Sequence, residues 1–135
     1  GPQAQAAWCR TGQAGQEERV IAATLVAGGS PAEREQRIAA VLRPGIPTAL
    51  ILEGIPSGNP ILDPSPALHI HRLAPGCLCC TGNLVLRVTL NRVLRTPVQR
   101  LYIGLASAAH VDQLRSWVSL TPYDQLLELG PDLKA

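Results

Sequence analysis

The stretch 19–42, RVIAATLVAGGSPAEREQRIAAVL, holds a complete strand–turn–helix unit and decides the fold class. Its first half is an apolar, partly β-branched run closed by two glycines, a pattern typical of a buried strand. Ser30 follows as an N-cap, with Pro31 in the first turn and Glu33 completing a capping box, so we expect a helix to begin here. A buried strand that leads directly into a helix is the first half of a crossover unit in a parallel sheet.

The rest of the chain repeats this alternation. Short apolar runs predict three further strands, at 48–53, 68–73 and 99–106. Helical spacing of apolar residues predicts helices at 83–95 and 107–118, and the segment 123–130 fits either a strand or a short helix. Strands that alternate with helices favour a three-layer α/β/α architecture, with a mostly parallel sheet of four to five strands covered on both faces.

The composition indicates one domain and excludes several classes of partner. We expect the polar residues 1–18 to form a flexible arm and residues 19–135 to form a single domain, since a chain of 135 residues suffices for one core. A formal net charge of +2 is too small for a nucleic-acid footprint. No apolar run approaches the roughly 20 residues of a membrane span. With no visible secretory signal, we expect a cytoplasmic protein without nucleic-acid or membrane partners.

A second informative stretch, HIHRLAPGCLCC at 69–80, concentrates thiol and imidazole groups. It contains three of the four cysteines, Cys77, Cys79 and Cys80. Thiolates bind soft or borderline ions such as Zn²⁺, and a helix that begins just after the loop favours the thiolate form. From these residues alone, metal binding, thiol–disulfide chemistry and a role as inert buried thiols all remain open.

The two histidines of this stretch are candidates for a fourth metal ligand. Because side chains alternate along a strand, His69 and His71 are expected on the same face of the sheet. Imidazole is a good ligand for Zn²⁺. The competing interpretation is that both are surface histidines, or histidines satisfied within the core.

The order of these features resembles the N-terminal half of the CobW-like P-loop GTPases, a family associated with metal chaperoning. The residues that carry the resemblance are ILEG at 51–54, LD at 62–63, LAPGCLCCTGNLVLRVTLNRVL at 73–94 and LYIGLASAAHV at 101–111. The Gly-Cys-x-Cys-Cys segment is the specific part of this match, which spans about 20–120. The resemblance implies a truncated P-loop NTPase-like fold. It also implies that Glu53, which matches the family's glutamate, supports the metal or ligates it, whereas a strand-end carboxylate is otherwise usually solvated.

The phosphate loop departs from the family pattern. When the family signature Gly-x-x-x-x-Gly-Lys-Ser/Thr is aligned from Gly28, its last three positions fall on Glu33, Arg34 and Glu35. The glycine that allows close approach of phosphate and the hydroxyl that holds Mg²⁺ are both absent. Gly28, Gly29 and Arg34, the last in place of the lysine, therefore form a degenerate phosphate loop, and GTP hydrolysis is not expected.

We therefore expect a protein that binds zinc or another thiophilic ion, does not hydrolyse a nucleotide, and has a metal-receiving protein or a second copy of itself as partner. Two alternatives remain. One is a weakly GTP-binding metallochaperone in which Arg34 replaces the lysine. The other is a pseudo-GTPase interaction module whose basic helix face, carrying Arg87, Arg92 and Arg95, docks an acidic partner.

Overall fold

A parallel sheet with helices on both faces organises the chain. The computed structural model describes residues 20–54, 61–74 and 82–135, except the side chains of 82–84 and 117. The strands within these residues are β1 Ile21–Ala27, β2 Thr48–Glu53, β3 Leu68–Leu73, β4 Arg100–Leu105, β5 Leu127–Leu129 and β6 Leu133–Lys134. The helices are α1 Pro31–Val41, α2 Gly82–Leu94, α3 Ala108–Val118 and α4 Tyr123–Leu126.

The strand order is β3-β2-β4-β1-β5, and every pairing between these strands is parallel. The short strands β5 and β6 both lie along β1: β5 pairs with its first residues, and β6 pairs with Val26 and Ala27. The predicted three-layer α/β/α architecture with a mostly parallel sheet is confirmed. The sheet has six strands, one more than expected, because the segment 127–134 forms two short strands.

Two apolar cores flank the sheet. The larger core packs α2 and α3 against one face through their buried leucines and valines, and the sheet residues Ile51, Leu101 and Ile103 lie at its centre. The smaller core lies under α1, where Ile38 packs on Leu50 and neighbouring side chains. Burial of these side chains, at roughly 1.5–3 kcal/mol each, is the main stabilising contribution. No helix within the described ranges is long and apolar enough to cross a membrane.

Helix α1 buries a different set of side chains from the one its sequence predicts. The apolar spacing predicts Ile38, Val41 and Leu42 on the inner side, but Val41 is 41% exposed and Leu42 is only partly buried. The helix ends at Val41, and the inward positions one turn before Ile38 are taken by Arg34 and Glu35. Charged side chains therefore occupy part of the interface between α1 and the sheet.

Helix α2 provides a test of the larger core. Truncating the fully buried Leu90 leaves a cavity, so Leu90→Ala is expected to lower the free energy of unfolding by about 2–5 kcal/mol. The exposed Val85 on the same helix is the control, and Val85→Ala should change the free energy of unfolding by no more than about 0.5 kcal/mol. Urea denaturation followed by circular dichroism measures both. Equal effects of the two substitutions would contradict this placement of the core.

Candidate functional site

The candidate site lies at the carboxyl edge of the sheet, where β1 and β4 are neighbours. The helix that follows β1 packs on one face of the sheet, and the helix that follows β4 packs on the other. Where the connections after two neighbouring strands go to opposite faces of the sheet, a crevice opens outside the strand ends. Ligands of open α/β sheets bind in this crevice. Glu53 is the last residue of β2 at this edge. The predicted phosphate loop follows β1, and the segment that carries the cysteines follows β3.

The glycine turn after β1 leads into a helix that is capped by its own side chains. Gly29 has a φ of 66°, in the left-handed region that favours glycine. The Ser30 hydroxyl accepts a hydrogen bond from the Glu33 amide at 3.1 Å, and a Glu33 carboxylate oxygen accepts one from the Ser30 amide at 2.8 Å. The predicted capping box is confirmed. It uses two N–H groups at the helix N-terminus and places a carboxylate where a phosphate would bind.

Arg34 fills the crevice between the ends of β1 and β2. Its side chain is 2% exposed, and its Nη1 donates hydrogen bonds to the carbonyl oxygens of Gly28, at 3.0 Å, and Gly29, at 2.6 Å. Its Nη2 donates to the carbonyl oxygen of Glu53 at 3.0 Å. The structure thus brings the three predicted phosphate-loop residues together, with the guanidinium bound to the loop itself.

Nearby carboxylates partly offset the cost of burying the Arg34 charge. Burial lowers the pKa of the Arg34 guanidinium, and the carboxylates of Glu53, Glu35 and Glu33 oppose that shift. An arginine still stays protonated at neutral pH, because its ordinary pKa is so high. The crevice therefore contains a buried cation whose hydrogen bonds all go to backbone oxygens.

Glu53 joins β2 to the end of β4. Its side chain is 5% exposed, and Oε1 accepts a hydrogen bond from the Ala106 amide at 2.8 Å. The interpretation of Glu53 as a solvated strand-end carboxylate is therefore wrong. The Glu53 carboxylate is thus held in one orientation at the edge where β3 also ends, opposite Leu73.

The two histidines lie in β3, on the face that α2 covers. In the parallel register, His69 is opposite Ala49 and His71 is opposite Ile51. His71 is partly buried, and its pKa is lowered by burial, then by the nearby charges of Arg92 and His69. The lowered pKa favours the neutral imidazole, which is the form that binds a metal. His69 is exposed and precedes the end of β3 by four residues, about 13 Å along the strand, so His71 lies nearer the candidate site.

The three cysteines of the predicted metal site, Cys77, Cys79 and Cys80, lie outside the described residues. Within the described ranges, no three His, Cys, Asp or Glu side chains form a group that could hold a metal ion. Glu53, His69 and His71 therefore do not make a site by themselves. The metal site stays a prediction that depends on the cysteines.

Sequence analysis missed two parts of the crevice. Gly104 in β4 lies under Arg34: a Cβ there would come within 3.2 Å of Leu52 Cδ2 and 3.7 Å of Arg34 Cδ. A glycine inside a strand indicates close approach of another group, so Gly104 was a usable signal. Nothing in the sequence signals the role of the Ala106 amide, because its acceptor, Glu53, comes from a distant strand.

Glu35, the second carboxylate beside Arg34 in the sequence, points to a different partner. Its Oε2 accepts a hydrogen bond from Arg72 Nη1 of β3 at 2.8 Å, and its side chain is buried. This ion pair holds α1 against β3 at the side of the crevice. The two acidic neighbours of Arg34 therefore take part in the helix cap and in a helix–strand ion pair.

Strand β6 covers the glycine turn from the other side. The Ala135 amide donates to the Ala27 carbonyl at 3.0 Å, and a Cβ added to Gly29 would lie 3.0 Å from Ala135 Cβ. The turn is thus contacted by Arg34 on one side and by the β6 segment on the other.

Comparison with known proteins adds no assignment. No protein-family model, no curated protein and no solved structure matches this chain. The resemblance to the CobW-like GTPases therefore stays a prediction.

Replacing Arg34 tests whether it is a structural part of the crevice. Arg34→Met leaves three carbonyl oxygens without their donor and removes the cation beside Glu53. We expect it to lower the free energy of unfolding by about 3 kcal/mol or more, measured by urea denaturation. Arg34→Lys should recover little of the lost stability, because one ammonium does not reproduce the hydrogen-bonding geometry of the guanidinium.

The matched control is Arg37→Met, an exposed arginine on the same helix, which should change the free energy of unfolding by no more than about 0.5 kcal/mol. If Arg34→Met were as mild as Arg37→Met, the arginine would be a dispensable occupant of the crevice.

Proposed function

We propose that this protein handles a thiophilic metal ion, Zn²⁺ or a similar one, without hydrolysing a nucleotide. Cys77, Cys79 and Cys80 are the proposed ligands. Glu53 and His71 are the proposed assisting residues, and His69, further from the end of β3, is a weaker candidate. The observation that carries the proposal is the Arg34 guanidinium, which fills the crevice where a phosphate loop would hold its ligand.

The polarity of the crevice argues against a nucleotide. A phosphate loop binds its ligand with backbone N–H groups that point inward. Here the carbonyl oxygens of Gly28, Gly29 and Glu53 accept hydrogen bonds from Arg34 in the crevice. Moving Arg34 out would break these three hydrogen bonds, and loss of the buried one to the Glu53 carbonyl costs about 1–3 kcal/mol. Weak phosphate contacts at a loop without the signature lysine do not offset that cost.

The position and chemistry of the cysteine segment support a metal role. The segment joins β3 to α2, so its two ends are fixed at Ala74 and Gly82, on the edge where Glu53 lies. Three thiols within four residues supply a zinc ligand set that lacks a fourth member. An open fourth position allows the ion to pass to a metal-receiving protein or to be shared with a second copy. Reduced thiols of this kind suit the cytoplasm.

A zinc titration of reduced, metal-free protein tests the metal half of the proposal. Competition with a chromophoric chelator should show one tightly bound Zn²⁺ per chain. Cys77→Ser combined with Cys79→Ser should weaken binding by more than about 100-fold, because it removes two thiolate ligands. Cys9→Ser, which changes the cysteine outside the cluster, is the matched control and should bind as the wild type does. Unchanged affinity in the double variant would reject the site.

Calorimetry with GTP and Mg²⁺ tests the proposal that the protein acts without a nucleotide. With the crevice filled, the wild type should give no binding heat at millimolar nucleotide, and added Zn²⁺ should not change this. Micromolar binding would overturn the nucleotide-independent assignment and favour the GTP-binding metallochaperone. This result is independent of the zinc titration.

A further inference from the structure

The strongest feature outside the candidate site is a charge asymmetry centred on α2. Between Asp63 and Asp112 the sequence contains no acidic residue, but it contains five arginines. This segment includes β3, α2 and β4, so α2 lies in a part of the chain that supplies no carboxylate to it. Carboxylate partners for α2 must therefore come from other parts of the chain or from another molecule.

The outward side of α2 carries a narrow strip of four residues, Val88, Asn91, Arg92 and Arg95, which we call the α2 strip. They line a shallow surface hollow of about 290 Å³. Their spacing of i, i+3, i+4 and i+7 places them on one face of the helix, opposite the buried Leu86, Leu90 and Val93.

The chemistry of the α2 strip is mixed. Val88 is 51% exposed in spite of its apolar side chain, and the arginines follow it on the next turns. Within the described residues, neither Arg92 nor Arg95 has a carboxylate within salt-bridge distance. Asn91 is held in place, because its Oδ1 accepts a hydrogen bond from the Tyr123 hydroxyl at 2.9 Å. The strip is thus an exposed apolar side chain beside two arginines that have no ion-pair partner among the described residues.

We propose that the α2 strip docks an acidic amphipathic helix of a partner protein. In this arrangement Val88 contacts an apolar side chain of the partner helix, and Arg92 and Arg95 bind its carboxylates. The i, i+3, i+4, i+7 pattern is the one by which a helix packs against another helix. The proposal does not depend on metal binding.

Charge complementarity favours a protein helix over a nucleic acid. Nucleic-acid binding depends on neutralising many phosphates over a broad basic surface. The α2 strip offers two arginines on the turns after a valine, in a chain of net charge +2. A valine contributes to packing against an apolar side chain but gains little against a phosphate backbone.

Fluorescence anisotropy with a labelled synthetic helix tests the proposal on the full chain. The probe is a peptide of about 15 residues with leucines and glutamates on one helical face, compared with a scrambled peptide of the same composition. The wild type should bind the patterned peptide more tightly than the scrambled one. Arg92→Glu combined with Arg95→Glu should weaken binding by about tenfold or more, since two attractive pairs become repulsive.

The matched control is Arg37→Glu combined with Arg43→Glu, which makes the same change in net charge at two exposed arginines away from α2. It should bind as the wild type does, and thermal unfolding should show that both double variants are folded. Amide chemical shifts of the wild type should change along α2 on peptide addition, which tests the location without any substitution.

Three results would overturn the proposal: no preference for the patterned peptide, equal losses in the two double variants, or chemical-shift changes away from α2. Tighter binding of a DNA duplex than of the patterned peptide, abolished by the α2 substitutions, would assign the surface to nucleic acid instead.

Discussion

The hydrogen bonds of Arg34 to three backbone carbonyls are the interaction on which the candidate site depends. They join the glycine turn after β1 to the end of β2, across the strand that separates them in the sheet. The Glu53 carboxylate completes the connection by accepting the Ala106 amide after β4. Three strand ends are thereby tied together at the place where an open α/β sheet usually binds a ligand.

This network limits which ligands can bind at the carboxyl edge of the sheet. A crevice filled by the chain's own guanidinium has its polar groups satisfied, so a phosphate would have to compete with contacts that already exist. The proposed ligand site is therefore the segment between β3 and α2, whose sequence contains the clustered thiols. The strand ends are fixed by a cation at the place where a phosphate loop would bind an anion.

The features that sequence analysis predicted well are local ones. The Ser30–Glu33 capping box involves residues three positions apart, so their spacing alone specifies it. The shared face of His69 and His71 follows from the alternation of side chains along a strand. The alternation of strands and helices likewise predicts a parallel sheet, because crossover connections require one.

The features that it missed depend on distant contacts. Arg34 is adjacent in sequence to a carboxylate on each side, yet its hydrogen bonds go to carbonyl groups whose positions are set by the order of the strands. The burial of Glu53 likewise depends on an amide after β4, 53 residues further along the chain. The segment 123–130 stayed ambiguous because it contains both alternatives, a short helix followed by a strand along β1.

The most direct test of the central claim is a crystal structure of the protein grown with Zn²⁺ and a non-hydrolysable GTP analogue. The account predicts an ion on the sulfur atoms of Cys77, Cys79 and Cys80, with Arg34 still bound to the carbonyls of Gly28, Gly29 and Glu53 and no nucleotide at the turn. A triphosphate seated on the amides of the glycine turn, with Arg34 displaced from the crevice, would contradict it.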